Sequence, residues 1–188
     1  MTIAEKLLRA KNDIDEVHEA GYKEGYADCS VTLDEIIDGS ITSISINTLT
    51  EIGSRALIDR ESLENIDFPN VVKVGDMAVC SCYSLKKVNL PNCSIFEGEM
   101  NFAYCDTLQS IDLPKVERMG YAVFEGCLNL TSVTIRTPFV CISGNSLFYE
   151  TPIAEGNGYI YVPADLVDSY KSATNWSLYA DQIRAIQE

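Results

Sequence analysis

The sequence predicts an α/β repeat solenoid: a stack of about six coils of 22–23 residues with one parallel sheet, an N-terminal helix and a C-terminal helical cap. Two observations lead to this fold class. Four segments align without gaps over 17 positions, and their initial glycines, Gly53, Gly75, Gly98 and Gly120, are spaced 22, 23 and 22 residues apart. Each segment also ends in alternating apolar and polar residues. One such unit cannot bury its apolar face alone, so the copies are expected to stack.

Each part of a copy has a structural interpretation. Leu85, Val88 and Leu90 alternate with polar residues, so they are expected to point inward from a strand while Lys87 and Asn89 point outward. A proline follows this strand in three copies and ends it, because proline cannot donate to a continuing ladder. The segment between the glycine and the strand has the length of one or two helical turns, and it is expected to pack against the strand of its own coil.

Partial copies extend the array at both ends. A half-copy with Ile41, Ile44 and Ile46 precedes the four segments, and a degenerate copy ends with the strand-like residues 159–163. The predicted organisation is therefore an amphipathic helix and linker over 1–39, a solenoid over 40–163 and a helical cap over 164–188.

The two terminal segments have their own patterns. Apolar residues recur in a heptad seam over 3–24. The seam fits homo-oligomerisation, or else a helix that covers the open end of the solenoid or projects as an amphipathic linker. Residues 165–173 and 175–186 are expected to form two short helices of the cap. Their apolar face includes Trp176, which suits a capping role, and a ligand-binding role is the alternative.

The repeat unit G-x-x-A-F-x-x-C-x-x-L-x-x-I-x-L-P resembles the BspA-type leucine-rich repeat over roughly residues 40–163. The resemblance implies a curved solenoid with a role in adhesion or partner recognition rather than catalysis. The C-terminal tail also looks like the cap of short members found in gut bacteria and their phages or prophages. Outer copies depart from the pattern at Arg60, Thr151 and Arg136. Two copies carry the match through Gly75, Ala78, Val79, Cys82, Leu85, Val88, Leu90 and Pro91, and through Phe102, Cys105, Leu108, Ile111, Leu113 and Pro114.

Composition argues against several classes of function. The net charge of −14 repels phosphate backbones and anionic lipid head groups, so no nucleic-acid partner is expected, and no apolar run is long enough for membrane insertion. His18 is the only histidine, which excludes a multi-histidine metal site, and neither a metal nor a cofactor is expected. An enzyme is a remote alternative, since Asp67 and Asp112 as an acid–base pair would lie two coils apart.

The start of the chain and its cysteines bear on location. Charged residues interrupt the first apolar stretch, so synthesis in the cytosol without a signal peptide is expected, with a virion or a cell surface as destination. Cys82, Cys105 and Cys127 recur 23 and 22 residues apart and should form one column of small buried side chains rather than a metal or redox ladder. The remaining cysteines fall outside this pattern, where greater reactivity is open although nothing flanking them suggests activation: Cys29, Cys80, Cys93 and Cys141.

The most promising binding surface is the solvent side of the predicted sheet. Stacking should align its polar residues into two columns, an array suited to a protein or glycan ligand and equally typical of an ordinary solvated face. The favoured function is thus a non-enzymatic recognition and adhesion module, encoded by a phage or prophage and binding a host surface ligand. The alternative is a bacterial surface adhesin whose leader is missing. The candidate ligand-binding residues are Asn65, Lys87, Ser110 and Ser132 in one column, and Asp67, Asn89, Asp112 and Thr134 in the other.

Overall fold

Parallel strands stack along one side of the coils in the computed structural model, which describes residues 41–187. They form a three-stranded and a four-stranded parallel sheet that adjoin where β5 lies beside β7. This arrangement confirms the predicted α/β repeat solenoid, whereas the predicted helix over 3–24 lies outside the described residues. The strands of this side are β1 (Ser43–Ser45), β3 (Asn65–Asp67), β5 (Lys87–Asn89), β7 (Ser110–Leu113), β9 (Ser132–Ile135), β11 (Tyr159–Val162) and β12 (Ile183–Ala185).

A third parallel sheet, with five strands, adds to the correction of the prediction of a single sheet. Each of its strands has only two residues, too few to show any periodicity in the sequence, and the pairing is made between coils. The ammonium group of Lys73, on the second strand of this sheet, forms salt bridges with the carboxylates of Glu51 and Glu97 in the coils on either side. The strands of this sheet are β2 (Glu51–Ile52), β4 (Lys73–Val74), β6 (Ile95–Phe96), β8 (Arg118–Met119) and β10 (Ile142–Ser143).

The segment after each glycine is not helical, which corrects the expectation of one or two helical turns between the glycine and the strand. Met77 and Ser81 have φ values of 48° and 59°, and the same left-handed conformation recurs four residues apart in the other coils. Such residues cost roughly 1–2 kcal/mol each and prevent a continuous right-handed helix. Because left-handed residues interrupt the segment, its backbone N–H groups point toward the next coil instead. The N–H of Met77 donates to Glu99 O and that of Val79 donates to Asn101 O, both at 2.9 Å.

The glycines at the repeat period allow neighbouring coils to approach closely. A Cβ atom added to Gly120 would lie 1.9 Å from the carbonyl oxygen of Gly98, and one on Gly144 would lie 2.3 Å from that of Gly120. Any side chain at these positions would force the coils apart. Glycine recurs every 22–23 residues because the backbones of neighbouring coils touch at this position, in addition to the conformational freedom that glycine offers.

The core is a continuous column of apolar side chains between the five-stranded sheet and the other two sheets. Leu85 and Leu90 are fully buried as predicted, and Val88 is partly buried against the same core. Phenylalanine rings stack from coil to coil: Phe102 lies 6.0 Å from Phe124, which lies 5.8 Å from Phe148. This column gives the inner coils an apolar partner on each side, as a solenoid requires.

The C-terminal segment contains less helix than the sequence predicts. The 3-10 helix Ala164–Leu166, α1 (Val167–Ser172) and the 3-10 helix Trp176–Gln182 are followed by β12, where a helix to Ile186 was expected. The strand forms because the outer edge of β11 carries backbone groups that need partners, and β12 supplies them by parallel pairing.

Candidate functional site

The eight candidate residues lie on β3, β5, β7 and β9, with side chains that reach solvent, and this surface is called here the sheet face. Asn65 is in register with Lys87, and Asp67 is in register with Asn89. In the adjoining sheet, Ser110 on β7 is in register with Ser132 on β9, and Asp112 is in register with Thr134. Four of the side chains are exposed and four are half-buried, so all eight contact solvent. Exposed are Lys87, Asn89, Ser110 and Asp112, and half-buried are Asn65, Asp67, Ser132 and Thr134.

The two aspartates of the sheet face are held by neighbouring coils. Asp67 accepts hydrogen bonds from Ser45 Oγ at 3.1 Å and from Asn89 Nδ2 at 2.6 Å. Asp112 accepts a bidentate bond from Arg136, with Nε and Nη2 at 2.9–3.0 Å from its two oxygens. The carboxylate raises the pKa of Arg136, mainly through this hydrogen bond. Both carboxylates are therefore positioned as fixed hydrogen-bonding groups, on separate coils and with separate partners.

Two tyrosines extend the columns beyond the predicted residues. Tyr159 is in register with Ser132, and Tyr161 is in register with Thr134. Tyr159 is 42% exposed, and its ring centroid lies 6.2 Å from that of Tyr161. The guanidinium carbon of Arg184, on β12, lies 5.0 Å from the Tyr159 centroid. The C-terminal end of the sheet face is thus aromatic and cationic, whereas the preceding coils present short polar side chains.

Sequence reasoning left these tyrosines out although one feature points to them. Pro163 follows β11 as Pro114 follows β7, and alignment on the two prolines places Tyr159 and Tyr161 at the positions of Ser110 and Asp112. The irregular spacing of the last copy hides this relation. Arg184 has no such feature, because β12 lies outside the repeat.

The cysteine column is confirmed as part of the core. Cys82, Cys105 and Cys127 are fully buried, and their thiols donate hydrogen bonds to carbonyl oxygens of the preceding coil at 3.1–3.3 Å. Burial raises the pKa of Cys82 to about 12 and that of Cys105 well above the ordinary thiol value. Thiols that stay protonated are poor nucleophiles and poor metal ligands.

Three of the four cysteines outside the column are buried and have raised thiol pKa values, so they are not activated. Cys93 and Cys141 are buried, and desolvation raises the pKa of each to about 12. Burial also raises the pKa of Cys80. Cys93 occupies the buried position that Val71 and Val116 occupy in neighbouring coils, so it is a second apolar position of the repeat. Cys29 lies outside the described residues.

Residues 41–187 contain neither a metal-binding cluster nor a helix able to span a membrane. No group of three or more histidine, cysteine, aspartate or glutamate side chains in this range is arranged to hold a metal ion. None of the helices found there has the length and apolarity needed to cross a membrane.

A rigid stack of coils with an ordered outer face defines a class of protein that recognises partners through a repeat surface. The chain belongs to the family of BspA-type leucine-rich repeat proteins, because the family model for the BspA type leucine rich repeat region matches residues 37–154 in six copies. Repeats of this kind generally act as binding modules, often at surfaces.

A leucine-rich repeat protein from Bacteroides ovatus ATCC 8483 shares 24% sequence identity with this chain, with a TM-score of 0.49. The alignment covers 78% of this chain and 43% of that protein, so this chain spans less than half of its length. The search of curated proteins found no match.

Proposed function

We propose that this chain is a non-enzymatic recognition and adhesion module whose sheet face binds a protein or glycan ligand on a cell surface. The observation that carries the proposal is the ordered array of polar side chains, in register between β3 and β5 and again between β7 and β9, on a stack of parallel strands. Most of these side chains are short, so they lose little conformational entropy when they contact a ligand.

The regular spacing of the strands decides what kind of ligand the sheet face suits. A peptide or a saccharide can lie across several coils and meet a hydrogen-bonding group about every 4.8 Å, the distance between neighbouring strands. Asp67 and Asp112 are already oriented by their intramolecular bonds, which reduces the ordering cost of binding. These groups support extended recognition rather than chemistry on a small substrate.

Replacement of Asn89 and Asp112 by arginine is expected to abolish or weaken ligand binding at least about tenfold. Two long cationic side chains would cover the centre of the face and repel groups that now meet short or acidic ones. Glycan arrays and host-cell surfaces would first supply a ligand, and titration calorimetry would compare its affinity for the two proteins. The matched control, Glu117→Arg with Asn145→Arg, makes the same change in charge at exposed positions outside the sheet face. Equal affinity of parent and face variant would contradict the site assignment.

Two carriers of this module are proposed. One is a phage or prophage virion that uses the module to bind its host, and the other is the surface of the bacterium itself, for which the surface association common in BspA-type proteins argues. The genes beside its own distinguish them: tail and capsid genes indicate a virion component, whereas secretion or sortase genes indicate an adhesin.

For the N-terminal segment we propose a capping role, with homo-oligomerisation through 3–24 as the competing outcome. No coil precedes the first one among residues 41–187, and its apolar side chains, including Ile44, Ile52 and Leu57, border a narrow apolar cavity. A helix with an apolar seam is a suitable cover for such an end. The seam includes Ile14, which would then be buried against the first coil.

Ile14→Asp is expected to lower the melting temperature of the full chain by about 5–10 °C, since a buried isoleucine contributes about 1.5–3 kcal/mol. Asn12→Asp, with the same added charge outside the seam, should leave it unchanged. Light scattering of the parent should give a monomer. A dimer or trimer that Ile14→Asp converts to a monomer with an unchanged melting temperature would show that the seam serves assembly instead.

A further inference from the structure

The C-terminal end of the sheet face differs chemically from the rest of that face. In the two columns, the short polar side chains of Ser132 and Thr134 give way to the rings of Tyr159 and Tyr161. The ring planes are tilted by 55° to each other, and the Tyr159 ring also lies beside the guanidinium of Arg184. Tyrosine offers a large rigid contact area with only two side-chain torsions to order, which makes it an efficient binding residue.

A cavity adjoins this aromatic end. Its volume is about 300 Å³, it is open to solvent, and its lining includes Tyr161, Thr134 and Arg136. Asp112 holds Arg136 through Nε and one Nη2 hydrogen, so the remaining N–H groups of the guanidinium have a fixed direction. Charge-assisted hydrogen bonds from such a group are about twice as strong as neutral ones. An aromatic surface therefore lies next to oriented donors and acceptors.

This combination favours a sugar over a peptide. A pyranose ring presents a C–H face that packs on an aromatic ring and equatorial hydroxyl groups that need charged or planar hydrogen-bonding partners at its edge. A peptide would instead need apolar pockets for its side chains or an unpaired strand edge, and β9 and β11, which carry Thr134 and Tyr161, are each paired on both sides. The net charge of −14 further disfavours acidic glycans.

We propose that Tyr159, Tyr161 and Arg136 form a subsite for a pyranose residue of a neutral glycan. The inference rests on the proposed function and deepens it, because it names the ligand class and the end of the sheet face at which binding is strongest. The sugar ring packs on Tyr161, its hydroxyl groups bond Arg136 and Thr134, and the glycan continues along the columns toward Ser110 and Asp112.

The test uses the full chain and an array that contains neutral glycans, acidic glycans and host surface proteins. We expect neutral glycans to bind, with an affinity that changes little with salt. Tyr161→Ala and Tyr159→Ala should each weaken the best neutral glycan at least about tenfold, whereas Tyr161→Phe, which keeps the ring, should stay close to the parent. Tyr83→Ala removes a similarly exposed tyrosine, 43% accessible, from another part of the surface and should have no effect.

The outcomes separate this proposal from the proposed function. Undiminished glycan binding by both alanine variants, or binding of acidic glycans alone, would overturn the neutral-sugar subsite. Binding of a surface protein that the Asn89 and Asp112 variant abolishes, without any glycan binding, would also overturn the subsite but support the proposed function. No binding to any class on the array would contradict both. Melting temperatures of the tyrosine variants near that of the parent ensure that a lost affinity reports the site rather than unfolding.

Discussion

Phe124→Ala is expected to destabilise the chain by about 3–5 kcal/mol, the range typical of a fully buried phenylalanine. Its ring is completely buried and lies in the middle of the aromatic column, 6.0 Å from Phe102 and 5.8 Å from Phe148. An edge-on contact with Phe96 at 6.4 Å would also be lost. Since a domain of this kind is stable by only about 5–15 kcal/mol, the change removes a large part of its stability.

Chemical denaturation followed by circular dichroism would measure this loss, and a fall in melting temperature of roughly 10–15 °C should accompany it. Tyr121→Ala provides the control, because Tyr121 is an aromatic residue of the same coil as Phe124 but its side chain is 44% exposed. Its cost should stay within about 0.5 kcal/mol. A loss below about 1 kcal/mol for Phe124→Ala would mean that the stacked rings do not carry the core as the structure indicates.

Trp176→Ala is expected to cost a similar 3–5 kcal/mol and to unfold the C-terminal coils first. The indole is buried over the end of the aromatic column, 6.5 Å from Phe148 and 5.1 Å from Tyr170. Its Nε1 donates to the carbonyl oxygen of Cys141 at 2.7 Å, and truncation leaves that buried acceptor without its partner. The large effect follows because a solenoid without a sealed end exposes its last coil to water.

Hydrogen exchange would locate this effect, with faster exchange expected in β9 to β12 and little change in β3 and β5. Leu178→Ala is the matched control, since Leu178 belongs to the same 3-10 helix and is 66% exposed. Uniform acceleration across all coils would indicate that the array unfolds as one unit and that Trp176 does not act as a local cap. Retained stability would instead leave room for a ligand-binding role of the tryptophan.

The chemistry of the sheet face agrees with recognition more than with catalysis. Asp67 and Asp112 sit on different coils, and each is satisfied by its own partners, so they form no acid–base pair. Burial raises the pKa values of Cys82, Cys93 and Cys141 and keeps these thiols protonated. What the described residues offer to a partner is shape, hydrogen bonding and, near β11, aromatic surface.

The sequence alone determined the features that recur with the period of the coil. The spacing of 22–23 residues required stacking, because a short unit with one apolar face has nothing else to bury it against. The alternation around Val88 placed Lys87 and Asn89 on the outer side, since successive residues of a strand point to opposite faces. The eight polar residues could therefore be assigned to two columns from the repeat register. The repeat position of Cys82 could likewise be recognised as apolar.

Only the tertiary structure decided the features that depend on contacts between coils. Two-residue strands such as β4 carry no pattern of their own and exist because a neighbouring coil pairs with them. The left-handed conformation of Met77 is stabilised by N–H groups that reach the next coil, a gain invisible to local propensity. The same holds for β12, which pairs as a strand because β11 offers an open edge, and this pairing brings Arg184 beside Tyr159. Periodicity in a chain reports repeated local environments, whereas these features arise where one coil completes another.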